Sequence, residues 1–210
     1  MAKRRKRFIE LDVVRVGLLL FDDVEEMDFA GPLEVFGVAS SITGKISIIT
    51  VSKEGRLIRC RHGLRVQPDC SFSECSPLDL LIVPGGRGAR ERAMLDRDTL
   101  AFVRAKALGG HVASVCTGAL VIAEAGLLEG KKATTHHEYF ESLERYPNVE
   151  VLRGARYVRE ERVSSSAGIS AGIDLALAIV REKFGDSTHN EVVKEMEYGS
   201  AERLKTGSGS

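Results

Sequence analysis

The residue whose placement says most about chemistry is Cys116. It ends the run His111-Val112-Ala113-Ser114-Val115, which is short and apolar like a buried strand, and Leu120, Ala123, Glu124 and Leu127 follow it at helical spacing. Cys116 therefore stands where a strand turns into a helix. Such a turn holds the side chain up into open space, and the helix behind it aims unpaired N–H groups and the positive end of its dipole at the sulfur. That placement favours the thiolate, the form that attacks carbon. A small, buried, inert cysteine is the other reading of the same residue.

Further groups with chemical capacity follow other apolar runs. Gly85 and Gly86 come directly after "LDLLIVP". They can present backbone amides without interference from a Cβ, and with the N–H of Thr117 could form a hole for developing negative charge. An ordinary strand-to-helix turn accounts for them equally. Asp28 precedes Gly31-Pro32, with Pro32 suited to a first helical position, so Asp28 reads either as a helix cap or as an acid. If it faced Cys116, repulsion between two negative charges would raise its pKa and leave it a protonated donor. His136 and His137 are natural bases, or simply the beginning of a helix, and His136 is a candidate for lining the site and binding substrate. Cys60, His62, Cys70 and Cys75 match none of the paired zinc spacings, so no metal is expected.

These residues need a scaffold that gathers them. Strand-like runs "VVRVGLLLF", "KISIITVS", "LDLLIVP", "HVASV", "KKATT" and "ERVSSS" alternate with helical patterns at "GPLEVFGVASS", "DRDTLAFVRAKAL", "TGALVIAEAG", "HEYFESLERY" and "AGISAGIDLALAIVREKF". The alternation predicts a doubly wound α/β sandwich with a largely parallel sheet. In the last helix Ile169, Ile173, Leu177, Val180 and Phe184 mark one buried face. Residues 53–76 interrupt the pattern: two short strands around His62-Gly63, then a loop at "SFSECSP", form an excursion beside the sheet. Ligands of such folds bind outside the carboxyl ends of the strands. The loops there are "DDVEEMDFAGP", "GGRGA", "CTG", "HHE" and "AGISAG". Together they offer a carboxylate, exposed amides, a thiol, a hydroxyl and two histidines.

At 210 residues and 43% hydrophobic content the chain suits one domain, expected over residues 13–198, with a basic tail at 1–12 and a flexible tail at 199–210. Its 30 basic and 30 acidic residues cancel, which argues against nucleic acid or an anionic membrane and for a small-molecule partner. Glu10, Asp12 and Arg15 interrupt any signal-peptide core, and no transmembrane span is legible. Four cysteines without secretory features fit a reducing cytoplasm.

With those residues placed, the chain resembles the ThiJ/PfpI superfamily, relatives of the class I glutamine amidotransferases, and within it the isonitrile (isocyanide) hydratases. The segments responsible are "GLLLFDDVEEMDFAGPLEVF", "LDLLIVPGGRGA", "VASVCTGALVIAEAGLLEGKKATTHHEYF" and "RVSSSAGISAGIDLALAIV". The resemblance implies a flavodoxin-like fold, a homodimer, no cofactor, Cys116 as nucleophile on an elbow and Asp28 as its acidic partner. Glyoxalase and deglycase members usually have Glu where this chain has Asp28. Amidotransferases and PfpI-type peptidases have His after the cysteine, where this chain has Thr117, the residue the isonitrile hydratases also have. The implied activity is hydration of isonitriles to N-substituted formamides through a thioimidate. The alternatives are a glyoxalase or deglycase acting on 2-oxoaldehydes, or a redox-sensing or ligand-binding module like that of AraC-type regulators.

Overall fold

The structure, a computed structural model, describes residues 13–199. The tail expected at 1–12 lies outside them, as does all but the first residue of the one at 199–210. Along the chain the elements are β1 Val14–Leu19, α1 Glu26–Thr43, β2 Ile46–Ser52, β3 Ile58–Arg59, β4 Arg65–Val66, β5 Cys70–Ser71 and β6 Leu80–Val83. They continue with α2 Arg87–Glu91, α3 Arg97–Gly109, β7 His111–Val115, α4 Gly118–Glu124, β8 Lys132–Ala133 and α5 Phe140–Leu143. The last are β9 Glu150–Val151, β10 Tyr157–Arg159, β11 Val163–Ser166 and α6 Ala171–Glu195.

Seven strands form the central sheet in the order β10-β11-β7-β6-β1-β2-β5. All pairs are parallel except β10 with β11. Strands buried on both faces need apolar residues at every position, which is why "LLIV" of β6 lacks polar alternation. Leu80, Ile82, Ala113 and Val115 turn to one face and pack under Phe36 of α1 and Leu175 and Ile179 of α6. Leu81, Val83 and Val112 turn to the other and meet Phe102 and Val103 of α3 and Val121 and Ile122 of α4. This is the expected doubly wound sandwich.

Register sets up the site. Val83 pairs with Ser114, and Val115 with Ser166, so β6, β7 and β11 end at one level and their following loops meet. The chain also reverses direction across the sheet at β1, with β2 on one side and β6 on the other, which opens a crevice at the strand ends.

Several expectations need correction. Helix α1 begins at Glu26, so Pro32 lies inside it rather than at its first position, and Asp28 is in the first turn with no capping role. Pro32 cannot donate to the carbonyl one turn back, that of Asp28, and the apolar packing of α1 against α6 keeps the helix continuous across that gap. The "KKATT" run is not in the central sheet: β8 pairs only with the short β9. Within the segment expected to be an excursion, β3 and β4 form the hairpin, but Cys70–Ser71 joins the main sheet as its edge. Ile169 precedes α6 with φ 56° and is partly exposed, so it does not share the buried stripe of that helix. The helix itself runs on beyond Phe184 through a break at Gly185, where φ is 85°. The "HEYFESLERY" segment holds a single turn of 3₁₀ helix and the four-residue α5. Among the described residues no helix is long and apolar enough to cross a membrane.

Candidate active site

Cys116 sits between β7 and α4 with φ 57°, a left-handed conformation that a side chain enters at a cost of about 1–3 kcal/mol. The surroundings hold it there. Its N–H donates to the carbonyls of Ser166 and Ala167 at 3.2 and 3.3 Å, and its carbonyl accepts from the Thr135 hydroxyl at 2.8 Å. A Cβ on Gly118, the next helical residue, would come 2.0 Å from the Val83 carbonyl, so only glycine lets the elbow close against β6.

The environment of the sulfur differs from the expected one. Cys116 is only 6% exposed, and burial, reinforced by the charge of Asp28, pushes its thiol up to about 12. The amides of Thr117 and Ile169 and the Thr117 hydroxyl act in the opposite direction without prevailing. Desolvation thus outweighs the few N–H groups of a short helix and favours the thiol over the thiolate.

Asp28 lies against Cys116, as expected of an acidic partner, and is 0% exposed. Burial pushes its pKa up to about 7. The Gly85 amide opposes this, Glu25 adds to it, and the Cys116 side chain acts to lower it, so the rise comes from desolvation and not from a neighbouring thiolate. Asp28 Oδ2 accepts the Gly85 N–H at 2.9 Å, while Oδ1 is buried with no hydrogen-bond partner among the described residues.

That bond changes the role of the glycines. The Gly85 amide is taken by Asp28, and the Gly86 amide donates to Thr117 Oγ1 at 3.1 Å, so neither is free for a substrate anion. Gly85 is a buttress instead: a Cβ there would lie 2.6 Å from the Thr117 amide and 2.9 Å from Asp28 Oδ2. The donors directed at the sulfur are the amides of Thr117 and Ile169. Ile169 lies in the "AGISAG" loop that follows β11, but nothing in an isoleucine's type announces a useful backbone.

A cleft of about 80 Å³ opens over Cys116, lined by Glu25, Arg61, Gly86, Arg90, His136, Glu138, Tyr139 and Ile169. All five loops named from the sequence contribute to this site. His136 lines it, with Nδ1 accepting from the Glu138 amide at 3.3 Å, and burial lowers its pKa. His137 stacks on His136 at 4.3 Å and does not line the cleft. Arg61, from the β3–β4 hairpin, pairs with Glu25 at 3.1 Å. Glu25, Arg61, Arg90 and Tyr139 were not singled out by sequence reasoning, since charged and aromatic residues in loops are common and only the fold turns these inward. Cys60 is buried in a separate small cluster and Cys70 and Cys75 pack at the far edge of the sheet, so these cysteines make no ligand set with His62. Glu25, Glu26 and His62 do bring ligand atoms within 4.8 Å of one another, with His62 Nδ1 2.8 Å from Glu26.

A family model described as the DJ-1/PfpI family matches residues 14–182. The chain belongs to the DJ-1/PfpI family. Within this family it is similar to the isonitrile hydratase of Pseudomonas putida, 36% identical over 93% of this chain and 83% of that protein. It is also similar to the HTH-type transcriptional regulator GbdR of Pseudomonas aeruginosa, 29% identical over 81% of this chain but 47% of the regulator. Among solved structures, a ThiJ/PfpI family protein from Pseudomonas syringae aligns with TM-score 0.83 and 28% identity, over 99% of this chain and 86% of that one. For a DJ-1/PfpI domain, then, the match extends through the strands and loops that build the cleft.

Proposed function

We infer that this DJ-1/PfpI protein hydrates isonitriles to N-substituted formamides, with Cys116 as nucleophile and Asp28 as proton carrier. The observation behind this reading is the contact between Cys116 and a fully buried carboxyl that titrates near neutrality and has one unpartnered oxygen. The likeness to an isonitrile hydratase supports the choice of substrate.

The reaction begins from thiol and carboxylate. As the sulfur attacks the terminal carbon of R–N≡C, Asp28 takes the thiol proton, and the new C–S bond leaves an electron pair on that carbon. Asp28 delivers the same proton to it. The product is the thioimidate R–N=CH–S–Cys116, formed without a net proton from solvent. Water then adds to the thioimidate carbon, the nitrogen gains a proton, and the C–S bond breaks. The sulfur recovers a proton through Asp28, and R–NH–CHO departs. One isonitrile and one water are consumed.

The test follows an isonitrile and, separately, methylglyoxal with the wild type and Cys116→Ala. Isonitrile turnover that vanishes in the variant is the expected result. Turnover of methylglyoxal alone would make the protein a glyoxalase or deglycase. Turnover of neither, with ready oxidation of Cys116 to a sulfinic acid, would favour a sensor. The same reading takes the protein as a homodimer, and solution scattering that showed only monomer would remove that part.

A further inference from the structure

Arg90 and Tyr139 line the cleft over Cys116, and the same two residues line a second pocket of about 400 Å³. Arg90 therefore borders both chambers. Its guanidinium lies over the Tyr139 ring at 4.6 Å from the centroid, and Nη1 donates to the Gly86 carbonyl at 3.0 Å. Neither contact cancels its charge. Three arginines near it are neutralised: Arg87 pairs with Glu91, Arg92 with Asp23, and Arg61, which also lines the cleft, with Glu25. Among the described residues no carboxylate pairs with Arg90.

The acids around the two chambers are already engaged or face water. Glu25 is held by Arg61, Glu124 accepts the Tyr146 hydroxyl at 3.0 Å, and Glu138 is exposed beside His136. The second pocket is lined by two arginines, Arg90 and Arg145, and by a single acidic residue, Glu124. Its apolar surface comes from Met94, Leu120 and the tyrosine rings.

We propose that Arg90 is a recognition residue for a carboxylate on the substituent of the molecule that Cys116 attacks, the apolar part of that substituent lying against Met94, Leu120 and Tyr146. The substrate class is an organic carboxylic acid with a compact electrophilic head. The head fits the small cleft, and the remainder passes Arg90 into the larger chamber. A guanidinium and a carboxylate form charge-assisted hydrogen bonds, stronger when partly shielded from water. The proposal rests on the reading of Cys116 as nucleophile, not on the isonitrile as its electrophile.

Iodoacetate and iodoacetamide test it, because they deliver the same carbon with the same leaving group and differ in charge. The rate of alkylation at Cys116 is followed by peptide mass for each reagent. Arg90→Gln, which retains a donor for the Gly86 carbonyl, is expected to lower the iodoacetate-to-iodoacetamide rate ratio about tenfold, the scale of one charge-assisted bond. Arg90→Lys should recover most of it. An unchanged ratio in folded Arg90→Gln, or equal losses with both reagents, would overturn the proposal, and so would a Cys116 that reacts with neither. For turnover, KM for a carboxylate-bearing isonitrile should rise in Arg90→Gln relative to KM for its methyl ester. If no isonitrile is hydrated while the alkylation ratio responds to Arg90, recognition stands and the isonitrile reading falls.

Discussion

Asp28 accepts the amide hydrogen of Gly85 at 2.9 Å across 57 residues of sequence, and this one bond decides what both residues can do. It removes the glycine amide from any anion hole. It also satisfies Oδ2 while Oδ1 remains buried and unpartnered among the described residues.

If the carboxyl relays the thiol proton, Asp28→Asn keeps an acceptor for Gly85 but no transferable proton. Isonitrile turnover should fall by roughly a hundredfold or more, the scale of general acid–base catalysis. Asp28→Glu should lose less. Wild-type turnover in Asp28→Asn together with a dead His136→Ala would transfer the role to the histidine.

The relay starts from the carboxylate, so protonating Asp28 stops it. With its pKa raised to about 7, kcat/KM should fall as pH drops through that value and level off above it. A profile flat from roughly pH 5 to 9 would exclude Asp28 as the proton acceptor.

The same shift has a stability consequence of opposite sense. A carboxyl whose folded pKa lies near 7 against 3.8 favours the neutral acid in the native state, so its contribution is complete below about pH 4 and is lost as pH rises through about 7. The loss is about 4 kcal/mol at most, at roughly 1.4 kcal/mol per pH unit. Asp28→Asn should accordingly be more stable than the wild type at pH 8, with the difference shrinking toward pH 4. Urea unfolding at the two pH values measures it, and a difference independent of pH would refute the account.

Backbone strain at Cys116 can be read from a pair of inert variants. Both Cys116→Ala and Cys116→Gly remove the sulfur, but only glycine adopts φ 57° freely. Cys116→Gly should be the more stable by about 1 kcal/mol in thermal melts. The reverse order would mean that the elbow relaxes in solution.

Close packing behind the elbow should be as unforgiving. Gly118→Ala places a methyl 2.0 Å from the Val83 carbonyl, so it should destabilise by about 1–3 kcal/mol and displace Cys116 enough to depress turnover. Gly37→Ala in α1 meets nothing within 4 Å and should instead stabilise by about 0.5–1 kcal/mol. Equal effects of the two substitutions on melting temperature would contradict the packing described here.

The alternation of apolar runs with helical spacing is local information, and it was enough to place Cys116 on a strand-to-helix turn and to name the loops that meet around it. Short elements escaped it. Strands β5 and β10 add to the sheet edges because a neighbouring strand offers hydrogen bonds, not because "CS" or "YVR" has a strand's pattern. "KKATT" has such a pattern and is drawn away from the central sheet by β9.

Which groups stand at the carboxyl ends of the strands is legible from local pattern, because side-chain type and period are properties of adjacent residues. Their state is set by the fold. Whether Cys116 favours thiol or thiolate, whether the Gly85 and Gly86 amides are free, and whether Arg90 meets a carboxylate among the described residues depend on burial and on partners tens of residues away. Desolvation and hydrogen bonding act through space, and the folded chain sets those distances.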